Sequence, residues 1–167
     1  NMKCHEIAAL SFGVRIAVAA EHERFFETVG RQFVPRAHLA PIGQRMQDPA
    51  TAAEMFLGVP YLWGGKSSLG IDCSGLVQIS LDAAGTGCPR DSDMQQDGLG
   101  RTLSPAEMRH LKRGDLIFWK GHVAIVRDAD TIVHANAHHM ATVVENTREA
   151  IARIKAAGSE VTAIKRL

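Results

Sequence analysis

The 167-residue chain has no surplus of charge: 19 Lys and Arg stand against 18 Asp and Glu, with no run of one sign. That balance gives no electrostatic reason for a polyanionic partner, so neither nucleic acid nor an anionic membrane is expected. No apolar stretch approaches the roughly 18 consecutive residues of a membrane span. Cysteine is scarce as well. Cys4, Cys73 and Cys88 are odd in number and unpaired in spacing, which argues against a disulfide scaffold and fits a reducing compartment. The N-terminal stretch lacks a continuous apolar block and is interrupted by Arg15, so it does not read as a secretory signal. A cytoplasmic setting is the resulting expectation, with a periplasmic or secreted one if a leader precedes this chain.

What remains is an ordinary globular composition, 46% hydrophobic and 22% charged, long enough for one domain with a small appendage. "SFGVRIAV" predicts a strand with Phe12, Val14, Ile16 and Val18 on one face. "RFFETV" and "QFVPR" predict two more at short spacing. "QFVPRAHLAP" resembles the closing strand, helical turn and last strand of SH3-like barrels, so residues 1–43 are expected to form a partial SH3-like β module. Residues 44–167 form the second expected domain. There, Asp48 is placed to cap a helix with Pro49 in its first position. Asp72 is placed to cap another over residues 73–84, stopped by Gly85. "SPAE" at 104–107 has a capping-box pattern. "DLIFW", "HVAIV" and "TIVHA" predict three strands, "TREAIARIKAAG" a late helix and "EVTAIKRL" a final strand. The fold class is α+β, with helices packed on an antiparallel sheet.

Cys73 carries the first chemical signal. Buried thiols are common in cores, and this one shares a helical side with Leu76 and Val77. Its place in a first helical turn reads differently: unpaired N–H groups and the positive dipole end there favour a thiolate and lower the thiol pKa. The Cys73 N–H is also a natural oxyanion donor. A nucleophile needs a base, and His122 and His134 open and nearly close two adjacent predicted strands. Twelve residues apart, they fall opposite each other on one face if a three-residue loop centres on Asp128. One imidazole then deprotonates the thiol and the other orients it. Taken singly, each histidine also reads as a satisfied strand or core residue.

Together, "WGG…GIDCSGLV", "PRDSDMQ", "KRGDLIFW", "GHVAIV" and "IVHA" resemble the ordered motifs of the NlpC/p60 family of papain-like cysteine peptidases, over residues 48 to 167. The resemblance implies a circularly permuted papain-like α+β domain acting on peptidoglycan peptides without a cofactor. It implies Cys73 as nucleophile, His122 as general base and acid, and His134 as the residue orienting the base. It also implies Tyr61, Asp72 and Ser74 as residues holding the free N-terminal L-alanine of a substrate, with a carboxylate–ammonium hydrogen bond at Asp72. The branch with an SH3-like module resembles γ-D-glutamyl-L-diamino acid endopeptidases, and that implies cleavage between D-glutamate and the diamino acid of a muropeptide.

Other readings are weaker. "PYLWGGKSS" lacks the first glycine of a phosphate loop, since Pro60 occupies that place. His134, His138 and His139 lack a supporting carboxylate or cysteine for zinc, and His138 and His139 read as solvated loop residues. Cys4 and Cys88 have no neighbouring base motif and read as bystanders. An acyltransferase on the same scaffold, and a wall-binding module without catalysis, stand as alternatives.

Overall fold

The computed structural model describes residues 5–167; Cys4 lies outside them. The chain divides into two compact units between Arg45 and Met46.

The first unit holds an antiparallel sheet of β1 (Val18–Glu21), β2 (Phe25–Thr28) and β3 (Phe33–Pro35), followed by a 3-10 turn at Arg36–His38. The strand expected from Phe12 begins only at Val18. Gly13 takes a positive φ of 79° and Val14 N–H bonds the Ser11 carbonyl at 3.2 Å, so the backbone turns where a strand would extend. No strand follows the helical turn before the next helix among the described residues. Val34 is the only hydrophobic residue of this unit that is buried among them.

The second unit opens with α1 (Pro49–Glu54), whose N-cap Asp48 accepts the Ala50 N–H at 2.9 Å. A short β4 (Lys66–Ser67) and β5 (Gly70–Ile71) lead into α2 (Cys73–Ala84). Asp72 caps this helix, and Gly85 ends it at φ 82°, a conformation that a β-carbon would strain. Gly75 answers a different need: a β-carbon there would collide with the Gly65 carbonyl oxygen, so only glycine lets the first turn lie against that loop. α3 (Ser92–Gly98) follows, a helix the sequence reading did not assign, then β6 (Arg101–Thr102). The Ser104–Glu107 box yields a 3-10 turn at Glu107–Arg109, with the Ser104 N–H held by Glu107 at 3.0 Å.

The sheet that positions the site is built from β7 (Leu116–Trp119), β8 (His122–Val126), β9 (Thr131–Asn136), β10 (Ala141–Asn146) and, after α4 (Thr147–Ala156), β11 (Val161–Arg166). Its order is β10-β9-β8-β7-β11-β6, antiparallel at every pairing. Alternation sorts the side chains. Ile117, Trp119, Ala124, Val126 and Ile132 join Ala150 of α4 in one apolar cluster, with Ile151 and Ile154 packed on it. Val123, Ile125, Val133 and Ala135 point to the other face and are fully buried where α1 and α2 meet β8 and β9. Each buried valine or isoleucine among them contributes about 1.5–3 kcal/mol. The sheet is therefore covered on both sides.

Candidate active site

Cys73 is the first residue of α2 and is 7% exposed. Its Sγ lies 4.0 Å from the Gly121 carbonyl oxygen and receives the backbone N–H of Val123. Those two residues flank His122, so the thiol sits at the head of β8 beside the histidine. The N–H groups of Ser74 and of Cys73 itself also face the sulfur. This ring of donors does not lower the thiol pKa overall. Burial pushes it up, Asp72 adds to that, and the N–H groups offset only part. The expected helix-end thiolate is thus corrected to a neutral thiol, because a sulfur this buried loses more hydration than the first turn returns.

His122 and His134 are brought together as expected, but by a different register. Ile125 pairs with Val133 and Val126 with Ile132, which sets His134 across from Ala124, making the two histidines diagonal neighbours on one face. The cause is the turn. Asp128 Oδ1 accepts the N–H groups of Asp130 and Thr131 at 3.0 and 2.8 Å, and Arg127 N–H bonds the Thr131 carbonyl. The loop therefore centres on Ala129. A shift of two residues preserves the face where a shift of one would have lost it. His122 Nε2 and His134 Nδ1 stand 2.9 Å apart. Trp119 lies beside His122, with ring centroids 5.5 Å apart. Burial pushes the pKa of both histidines down, so both are neutral near pH 7.

Two further residues complete this side, and neither was singled out from the sequence. Glu145 on β10 places Oε2 3.0 Å from His134 Nε2. Arg153 on α4 grips Glu145 at 3.0 and 2.7 Å. Glu145 pairs in register with Ile132, so the row His122, His134, Glu145 steps diagonally across three adjacent strands. The Asn136 Nδ2 is 3.0 Å from His134 Nε2, and Asn136 Oδ1 accepts the His139 N–H at 2.8 Å. His139 is thus tied to the site edge, where the sequence suggested a free loop residue.

Tyr61, Asp72 and Ser74 lie on the cysteine side. Burial raises the Tyr61 pKa, and the nearby Cys73 and Asp72 raise it further. Among the described residues its hydroxyl makes no hydrogen bond. Asp72 receives Gly64 N–H, Gly75 N–H, the Ser74 hydroxyl and both Arg90 terminal nitrogens, the latter at 2.9 and 2.6 Å. Burial alone would raise its pKa, but Arg90 and the two N–H groups bring it below the usual carboxylate value. Those five donors fill a carboxylate, which offers about four lone-pair sites. An incoming ammonium at Asp72 has to displace one of them. Arg90 also donates to Ser74 Oγ at 2.8 Å. The "PRDSDMQ" motif contained this arginine, but nothing local to it announced a partner 18 residues earlier.

A cavity of about 210 Å³ opens beside His122, bordered by Trp119, Lys120, Asn136, His138 and Arg153. A larger one, about 380 Å³, shares no residue with the thiol's surroundings. Its Arg113 and Arg166 are already paired to Asp48 and Asp115 at 2.6 Å. Of the two, only the smaller cavity reaches the site, through His122; Cys73 does not line it. Cys88 is free and half-buried, and burial pushes its thiol up to about 12, leaving it inert. Among the described residues no group of three His, Cys, Asp or Glu is arranged to hold a metal, and no helix is long and apolar enough to cross a membrane.

Comparison with known proteins places the chain in a family. The NlpC/P60 family model matches residues 58–157. A γ-D-glutamyl-L-lysine dipeptidyl-peptidase of Bacillus subtilis is 34% identical, over 66% of this chain and 38% of that protein. The peptidoglycan endopeptidase RipB of Mycobacterium tuberculosis is also 34% identical, over 64% of this chain and 47% of its own. The chain thus spans less than half the length of either relative. Among solved structures, an NlpC/P60 family protein from Bacillus cereus superposes with a TM-score of 0.75 at 24% identity, over 94% of this chain and 55% of that one. The RipB structure gives a TM-score of 0.57 at 29% identity, over 71% of this chain and 62% of its own. The chain belongs to the NlpC/P60 family, and its fold is the papain-like α+β fold of that family.

Proposed function

We propose that this NlpC/P60 domain is a cysteine peptidase that hydrolyses the γ-D-glutamyl–diamino acid bond of peptidoglycan-derived peptides bearing a free N-terminal L-alanine. The observation that carries the reading is the seating of the Cys73 thiol between Gly121 O and Val123 N, the two residues flanking His122, with His134 at 2.9 Å behind it. The relatives named for γ-D-glutamyl-L-lysine and peptidoglycan peptidase activities support the substrate class.

In this reading His122 uses Nδ1, since Nε2 is engaged by His134. It takes the thiol proton as the sulfur attacks the γ-carbonyl of D-glutamate. The oxyanion that forms is received by the Cys73 N–H, which has no partner within the helix and turns from the sulfur to the oxygen. The C–N bond breaks as His122 returns the proton to the leaving amine of the diamino acid, which departs through the cavity beside Trp119. A water then gives its proton to His122 and its oxygen to the thioester carbonyl, releasing the acyl peptide and the thiol. No cofactor enters these steps. Tyr61 and Ser74 border the acyl side, and with Asp72 saturated by its own donors the substrate amine falls first to the Tyr61 hydroxyl.

The test is hydrolysis of L-Ala-γ-D-Glu-meso-diaminopimelate beside its N-acetylated form, with Cys73→Ala as control. We expect cleavage of the free peptide, loss of about two orders of magnitude or more in Cys73→Ala, and poor cleavage of the acetylated peptide. Equal cleavage of both peptides would remove the amine contact. No cleavage of either would remove the assigned reaction.

A further inference from the structure

The row of polar groups does not end at the second histidine. We infer that Glu145, held by Arg153, is a positioning residue that sets the proton arrangement of His134 and, through it, of His122. The inference deepens the peptidase reading and rests on it.

The argument is one of donors and acceptors. His134 Nε2 has two neighbours at 3.0 Å that ask opposite things of it. The Glu145 carboxylate can only accept, and so requires a proton on Nε2. The Asn136 Nδ2 can only donate, and so requires a bare Nε2. The amide cannot resolve this by turning over, because Asn136 Oδ1 is fixed by the His139 N–H at 2.8 Å. Each choice propagates. With the proton on Nε2, His134 Nδ1 is an acceptor, His122 Nε2 carries hydrogen toward it, and His122 Nδ1 is left bare to take the thiol proton. With Nε2 bare, His134 Nδ1 carries the hydrogen, His122 Nε2 accepts it, and the proton on His122 moves to Nδ1. That arrangement cannot deprotonate Cys73.

Arg153 decides between the two. Its two contacts keep Glu145 ionised and aimed, and an ionised acceptor outbids a neutral amide donor by roughly twofold in hydrogen-bond strength. Glu145 is largely buried, with its side chain 13% exposed, so water does not screen the preference. Toward the imidazolium that forms transiently on His122, the Glu145 charge is favourable and the Arg153 charge opposes it, so the pair acts through the tautomer. Other charged or titratable groups around the pair are Asp72 and Cys73 near the start of α2, Arg153 on α4, and His139 beyond β9.

The experiment is nitrogen-15 imidazole NMR of the full chain near pH 7, which reads which ring nitrogen carries the proton and needs no substrate. In the unaltered chain we expect His134 protonated at Nε2 and His122 at Nε2, with His122 Nδ1 bare. In Glu145→Leu the proton on His122 should move to Nδ1, and kcat should fall about 10- to 100-fold with KM little changed. Glu145→Gln keeps the shape and an acceptor oxygen, so it should keep the tautomers and lose less in rate, guarding against a variant that fails to fold. Unchanged tautomers in a folded Glu145→Leu protein, or unchanged kcat, overturns the inference. If the tautomers switch as expected but no γ-D-glutamyl peptide is cleaved by the unaltered chain, the assigned substrate fails and the positioning role stands.

Discussion

Two arginine–carboxylate pairs flank the site, and they differ in what else the carboxylate touches. On the cysteine side Arg90 holds Asp72 by both nitrogens, at 2.9 and 2.6 Å. On the histidine side Arg153 holds Glu145 by two contacts, at 3.0 and 2.7 Å. The geometry is alike. Asp72, however, spends its other lone pairs on the backbone N–H groups of Gly64 and Gly75, so it fastens a loop to the first turn of α2. Glu145 instead meets an imidazole. In the proposed reaction one pair fixes where the Cys73 nucleophile stands, and the other fixes which nitrogen of the His122 base is bare. Damage to the first should appear as lost stability, and damage to the second as lost rate.

The largest expected effect follows from breaking the cysteine-side pair. Asp72→Ala removes the cap of α2 and leaves Arg90 without its carboxylate, held only by the Ser74 hydroxyl and the Gly65 carbonyl. A broken buried pair costs about 3–5 kcal/mol, and the 31% exposure of the Arg90 side chain places this one near the lower end. A denaturant titration should show the midpoint fall by an amount equivalent to about 3 kcal/mol with an unchanged slope. Glu145→Gln comes next. It should cost only about 1 kcal/mol, because the amide retains an acceptor, while lowering kcat. A variant in which Asp72→Ala left stability intact and Glu145→Gln abolished folding would reverse the comparison.

The two sides also separate with pH. Burial depresses the pKa of His122 and His134 below the ordinary value of 6.5, so below that pH the unfolded chain binds protons that the folded one refuses. Stability is therefore fully present above 6.5 and declines as pH falls beneath it. Asp72 and Glu145 are depressed below ordinary values of 3.8 and 4.5 despite burial, so their contributions fade only further down. Unfolding followed from pH 8 to 3 should show two stretches of decline, and Asp72→Ala should flatten the lower one alone. Decline confined to the lower stretch in the unaltered chain would contradict the assigned burial of the histidines. The smallest effect belongs to α4, which also carries Lys155, paired with Glu160 at 2.9 Å with both side chains more than 60% exposed. Lys155→Ala should change stability by less than about 0.5 kcal/mol and leave kcat untouched, two residues away from an arginine that matters.

What could be read from the sequence divides along the same line. The cysteine side is local: Asp72 caps, Cys73 follows and Gly85 stops the helix, all within one motif. Strands β7, β8 and β9 carry apolar runs and β11 a shorter apolar segment, and all four were legible too. β10 was not. "ATVVEN" puts two valines side by side, which breaks the alternation, and its Glu145 reads as a surface charge until α4 covers it with Arg153. The unread strand and the unread glutamate are one omission. The hairpin register slipped by two residues for a similar reason, since the Asp128 side chain, and not the loop length, sets where the turn centres. Arg90 was visible as a residue but not as a partner, because its pairing with Asp72 depends on a docking of loops that no periodicity encodes. At Phe12 to Ile16 the apolar alternation was real, yet Gly13 turns the chain there.

The most direct test of the account is to catch the acyl-enzyme. Mixing the intact chain with L-Ala-γ-D-Glu-meso-diaminopimelate, quenching in acid within the first turnover and weighing the protein should reveal the L-alanyl-γ-D-glutamyl group joined by a thioester at Cys73. The adduct should be absent from Cys73→Ala. An equal adduct in that variant, or steady release of diaminopimelate from it, would contradict the assignment of Cys73 as the nucleophile.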